Sequence, residues 1–235
     1  MKNLFLFILA LAILSCNPRH SADEYCKSGN LKLLKKDFNG AIADFDKAIE
    51  IDPKNADPYI NRGIAKEELN YYQGAIADYN MAIEIDPDKA DPYLNRGILK
   101  DDLQDYTGAI ADYNRAIEIS PELAKAYFCR GNAKINLQDY RGAIEDYTKV
   151  IELEPNNVSA YINRGTIKIN FQDYTGAIDD YTKAIELEPE NPIAHLQRGF
   201  AKHLSGDKEG GCKDLVKAGD LGYSDAYAFI KQYCQ

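Results

Sequence analysis

Five prolines, Pro53, Pro87, Pro121, Pro155 and Pro189, stand 34 residues apart, and five glycines, Gly63, Gly97, Gly131, Gly165 and Gly199, keep the same step. A second series, Gly74, Gly108, Gly142 and Gly176, follows it as well. A period this strict means one structural unit copied along the chain, each copy burying its apolar face against its neighbours. Length alone would suggest one or two globular domains for 235 residues, but stacked copies share one continuous core. Stacked repeats make surfaces and seldom make reaction centres, so a binding face is expected before a catalytic one.

Residues 56–89 show the unit. One apolar-periodic run covers Pro58 to Leu69 and a second covers Gly74 to Ile85. Each suits about three helical turns, and the short polar break from Asn70 to Gln73 lets the two helices pack antiparallel. Gly63 falls mid-way along the first helix, where glycine costs about 1 kcal/mol against alanine. Its recurrence implies close approach of the second helix, with Ala75 and Ala82 opposite and Tyr59 and Tyr79 filling the space. Pro87 ends the second helix and turns the chain into the next copy. Arg62, Arg96, Arg130, Arg164 and Arg198 recur in step with Asp44, Asp78, Asp112, Asp146 and Asp180, and structural ion pairing is expected.

This pattern resembles the tetratricopeptide repeat. The resemblance rests on Tyr59, Tyr93, Tyr127 and Tyr161, on the mid-helix glycines, on Ala75, Ala109, Ala143 and Ala177, and on Ala82, Ala116 and Ala184 with Val150 once. It implies an all-α, right-handed α-solenoid of six helix-turn-helix copies: 22–55, 56–89, 90–123, 124–157, 158–191 and 192–225. The end copies are atypical, as caps should be. Ser28 replaces the arginine in the first, and the last drifts to Gly210, Gly211 and Cys212. Residues 226–235 read as a capping helix with Ala226, Phe229, Ile230 and Tyr233 on its apolar face.

The first residues differ in kind. Lys2, an apolar run from Leu4 to Leu14 and the small Ser15 read as a secretory signal, 1–15, too short to span a bilayer. Ile13 to Cys16 resembles the lipobox of bacterial lipoproteins, which implies lipid attachment at Cys16, export, and a membrane anchor facing the periplasm or cell surface. Residues 16–21 read as a polar tether.

The resemblance also implies that a protein or peptide partner lies along the first helices, on the concave side. The candidates there are Asp57, Asn61, Glu67 and Glu68 in the second copy and Asp91, Asn95, Asp101 and Asp102 in the third. The later copies supply Asn132, Asn163 and Asn170 and lack the acids. The acidic half suits a basic segment, and the amides suit an extended backbone, since each offers donor and acceptor. The solvated-face alternative stands beside it for the acids. Some family members clamp a chaperone's terminal carboxylate; Asn30 and Asn61 match two clamp sites, but Cys26, Asp91 and Asn95 replace the cationic ones, which argues against that use. A net charge of −9 argues against nucleic acid.

Cys212 and Cys234, 22 residues apart in the last copy and cap, are a possible disulfide in an exported protein. Cys26 and Cys129 are free thiols or partner contacts. His195 takes the aromatic packing position, and His203 is expected at the surface. No nucleophile elbow, phosphate loop or paired-histidine metal motif appears, so no catalytic residue, cofactor or metal site is expected. The sequence therefore reads as a non-catalytic interaction module, an adaptor or assembly factor of the bacterial cell envelope. The alternative is a structural envelope protein that self-associates into a homo-oligomer.

Overall fold

The computed structural model describes residues 18–234, and thirteen α-helices with no strand are found among them. The signal segment and Cys16 lie outside the described residues. The chain divides into two compact units, one ending at Ser120 and the other starting at Pro121. The first holds α1 (Pro18–Leu34), α2 (Phe38–Ile51), α3 (Asp57–Glu68), α4 (Tyr72–Ile85), α5 (Ala90–Asp102) and α6 (Tyr106–Ile119). The second holds α7 (Ala124–Asn136), α8 (Tyr140–Leu153), α9 (Val158–Asn170), α10 (Tyr174–Leu187), α11 (Pro192–Ser205), α12 (Lys208–Asp220) and α13 (Ala226–Tyr233). Within each unit every odd-numbered helix up to α11 packs on the even one after it, and that one on the next pair. α1 already begins at Pro18, inside the stretch expected to be a tether. Proline suits a first helical turn because the amide hydrogen it lacks would have no intrahelical partner.

The turn inside each pair follows one local plan. Lys36, Asn70, Gln104, Gln138 and Gln172 take positive φ between 60° and 65°. In the second copy the Asn70 amide donates to the Glu67 carbonyl and the Tyr71 amide to the Lys66 carbonyl, both at 2.8 Å. This double closure satisfies carbonyls that the helix end would leave bare. The next residue caps the second helix. Asp37, Asp105, Asp139, Asp173 and Asp207 each accept from the amide three residues on, while Tyr71 has no such bond. That amide belongs to the second glycine series, and a Cβ on Gly108 would lie 2.2 Å from the Asp105 carboxylate.

The mid-helix glycines make room for a ring. A Cβ on Gly63 would sit 2.6 Å from the Tyr79 ring, and one on Gly97 would sit 2.7 Å from Tyr113. Tyr79, Tyr113, Tyr147 and Tyr181 are fully buried, so the close approach is to these rings more than to Ala75 and Ala82. The first-helix tyrosines brace the proline turns: the Tyr59, Tyr93 and Tyr161 hydroxyls donate to the Pro53, Pro87 and Pro155 carbonyls. His195 takes the same place, with Nε2 2.9 Å from the Pro189 carbonyl.

The arginine series pairs as expected and gains a lysine. Asp112 receives Arg96 Nη2 at 2.5 Å and Lys100 at 2.8 Å, and Asp146 receives Arg130 Nη2 at 2.6 Å and Lys134 at 2.9 Å. In the first copy, where Ser28 replaces the arginine, Lys32 reaches Asp44 at 2.6 Å and the Ser28 side chain hydrogen-bonds the same carboxylate. Several arginines also reach back one copy, Arg62 to Asp46 at 2.6 Å and Arg164 to the Thr148 hydroxyl at 3.0 Å. One guanidinium thus ties three helices, and its fork geometry fixes their register.

Candidate interaction surface

Packing consumes most of what repeats in the sequence, and the exposed first-helix positions are among those where the copies differ. In the first unit the expected acidic groove separates into two kinds of residue. Glu68, Asp91 and Asp102 are exposed, and Asn95 is half-buried. The others are engaged: Lys89 pairs with Asp57, the Asn61 amide donates to Asn30 at 3.0 Å, and the Tyr79 hydroxyl donates to Glu67 at 2.9 Å. Glu67 is therefore a buried tyrosine's partner. Burial, with Glu67 beside it, raises the Tyr79 phenol. Asp101 is half-buried with one carboxylate oxygen unbonded; desolvation first and Asp102 second push its carboxyl above the ordinary range.

The second unit solves the same problem with neutral groups. The Tyr147 hydroxyl donates to Asn132, and the Asn163 amide donates to that hydroxyl at 3.3 Å and to Asn132 at 3.5 Å. The Tyr181 hydroxyl meets Thr166 at 3.1 Å. Burial pushes both phenols up to about 12. The substitution is paired. Ile64 with Glu67 and Ile98 with Asp101 give way to Asn132 with Ile135 and Thr166 with Ile169, so the polar partner moves one turn back as the acid disappears.

Two recesses open on α7 and α9. One, of about 330 Å³, is lined by Asn132, Ile135, Asn136 and Tyr140 with Asn163, Thr166, Ile167 and Asn170. It gathers all three expected amides of the later copies. The other, of about 280 Å³, is lined by Ala124, Lys125, Phe128, Glu154, Asn157 and Ser159. Tyr140 escaped the reading of first helices because it opens a second helix, α8.

Against known families, a TPR repeat model matches residues 23–70, 67–100, 102–138 and 172–206, and a tetratricopeptide repeat model matches 124–157. The chain belongs to the tetratricopeptide-repeat family. Among solved structures, pilF of Pseudomonas aeruginosa aligns with a TM-score of 0.78 at 19% identity over 92% of this chain and 99% of its own. YrrB, a TPR protein with an unusual peptide-binding site, aligns with a TM-score of 0.71 at 24% identity over 80% of this chain and 97% of its own. A tetratricopeptide repeat protein from Parabacteroides merdae aligns with a TM-score of 0.67 at 20% identity over 92% and 100%. These likenesses carry the fold. A search of curated proteins returns no match.

The tetratricopeptide scaffold is a protein-interaction module, and its chemistry-bearing side chains are tied into packing here. Cys212 and Cys234 are joined in a disulfide, so Cys212 is no nucleophile. His195 is buried on the Pro189 turn. His203 is half-buried against Tyr233, ring centroids 4.7 Å apart, and not on the surface as expected, because the capping helix covers it. Cys26 is half-buried, and desolvation followed by Asp23, Asp57 and Asp52 raises its thiol, which keeps it protonated; Cys129 is also half-buried. Among the described residues no cluster suited to a metal ion is found, and no helix is long and apolar enough to cross a membrane.

Proposed function

We propose that this tetratricopeptide protein is an adaptor or assembly factor of the bacterial cell envelope, exported by residues 1–15, anchored by a lipid on Cys16, and binding a partner segment along its first helices. The observation that carries the binding reading is the pair of recesses on α7 and α9, both formed largely by first-helix side chains. Export is supported by Lys2, the apolar run and Cys16 in the sequence, and by the bonded Cys212 and Cys234, since disulfides persist in oxidising compartments.

The anchor is tested by metabolic lipid labelling: label on the wild type that disappears in Cys16→Ser, with the protein leaving the membrane fraction, is the expected result. Unlabelled wild type overturns it. The binding role is tested by affinity purification from envelope extract with the wild type and with the Phe128→Ala, Asn170→Ala double variant. A partner retained by the first and lost by the second is expected. A partner set identical for both, or none above control, contradicts it.

A further inference from the structure

We propose that the α7–α9 face of the second unit selects an uncharged extended peptide segment, whose carboxamide or hydroxyl side chain enters the amide-lined recess and whose apolar side chain, three residues away, packs on Phe128. This rests on the binding role above and names the ligand chemistry of that face.

The recess is neutral in an acidic protein. Its polar lining is Asn132, Asn136, Asn163, Asn170, Thr166 and Tyr140, with no charged side chain, in a chain that is 28% charged. At the same repeat position the copies read Glu68, Asp102, Asn136 and Asn170, so the acids of the first unit become amides in the second. Asn132 and Asn163 are held by Tyr147 and by each other, which fixes the floor. Asn136 and Asn170 are exposed, each the last residue of its helix, and form the rim. An ionised side chain entering here would lose water without gaining a counter-charge, which is costly. A carboxamide or hydroxyl exchanges its water for amide donors and acceptors of matching kind.

The second recess sets direction and length. Lys125 and Phe128 on α7 lie about seven residues before Asn132 and Asn136, which is about 11 Å along a helix. An extended chain covers that distance in about three residues. Phe128 packs edge-on against Tyr147, ring centroids 5.6 Å apart, so its own ring is braced to receive an apolar side chain. Exposed Leu137 and Phe171 flank the rim amides and extend the apolar border.

The test selects a random ten-residue peptide display library on the full chain and measures selected peptides by fluorescence anisotropy. Enriched sequences are expected to carry Asn, Gln, Ser or Thr three residues from an aliphatic or aromatic residue. Asn136→Asp and Asn170→Asp should each weaken binding at least tenfold, with unchanged circular dichroism and melting, because Glu68 and Asp102 show that the fold tolerates an acid at this position. Asp102→Asn should leave affinity unchanged. Peptides enriched for lysine or arginine, insensitive to both asparagine variants and weakened by Asp91→Asn, overturn this proposal while leaving the adaptor role standing. No enrichment of any peptide overturns both. Retention on neutral glycans that Asn136→Asp abolishes, without peptide enrichment, assigns the recess to sugars and overturns the peptide claim.

Discussion

At the residue scale, the repeating side chains act as small closed circuits. Asp112 is nearly buried and neutralised by Arg96 and Lys100. Removing the acid strands two half-buried cations, and Asp112→Asn should cost about 3 kcal/mol, read by urea unfolding. An unchanged midpoint would show the cluster to be ornamental. Asp101 has the opposite sign. Its raised carboxyl binds a proton more readily folded than unfolded, so the charged form costs stability above the folded value, and stability rises as pH falls through it. Asp101→Asn should therefore raise the melting temperature at pH 7, and the advantage should vanish by about pH 4, where carboxyls protonate. A variant less stable at pH 7 would contradict this. Sequence reading placed Glu67 and Asp101 in a groove because it saw acids on a helix face. That Glu67 answers a buried tyrosine depends on a hydroxyl reaching across from another helix, which no period within one helix reveals.

At the element scale, one copy breaks the capping rule. α4 begins after Tyr71, which is exposed and caps nothing, whereas five other second helices begin after an aspartate bonded to a glycine amide. Gly74 already leaves the space, so Tyr71→Asp should stabilise by about 1 kcal/mol in thermal or urea unfolding. No gain would mean that Tyr71 earns its place by packing. The last element is held differently. α13 has one buried residue, Ala226; its Phe229 and Tyr233 rings pack edge-on against Phe200 of α11, and the Cys212–Cys234 bond ties the residue after it to α12. Closing that loop contributes about 3 kcal/mol by chain entropy. Cys234→Ser should raise amide hydrogen exchange in α12 and α13 and leave α1 to α6 unchanged; protection that is equal throughout would contradict a local latch. The helix pairs and the cap were legible because period, glycine and proline report local geometry. The helical start at Pro18 was not, because the polar residues after it lack the apolar stripe by which a helix is recognised.

At the scale of the molecule, sameness and difference divide the work. The residues that keep the 34-residue step are the buried tyrosines, the small residues that seat them, and the Arg–Lys–Asp clusters. Among the residues that break it, the last first-helix position passes from acids in the second and third copies to amides in the fourth and fifth. That change was legible as a polarity shift, and the amides Asn132, Asn163 and Asn170 were legible as a set. Their meeting in one recess with Tyr140 was not, since it joins two first helices to the start of a second. The central claim is that a partner contacts these first-helix faces. Site-specific photo-crosslinking in living cells tests it most directly, with the probe placed in turn at Asn136, Asn170 and the exposed second-helix positions Ala111 and Asp179. One discrete adduct from Asn136 and Asn170 and none from Ala111 or Asp179 is the expected result. Adducts from the second-helix positions alone would contradict it.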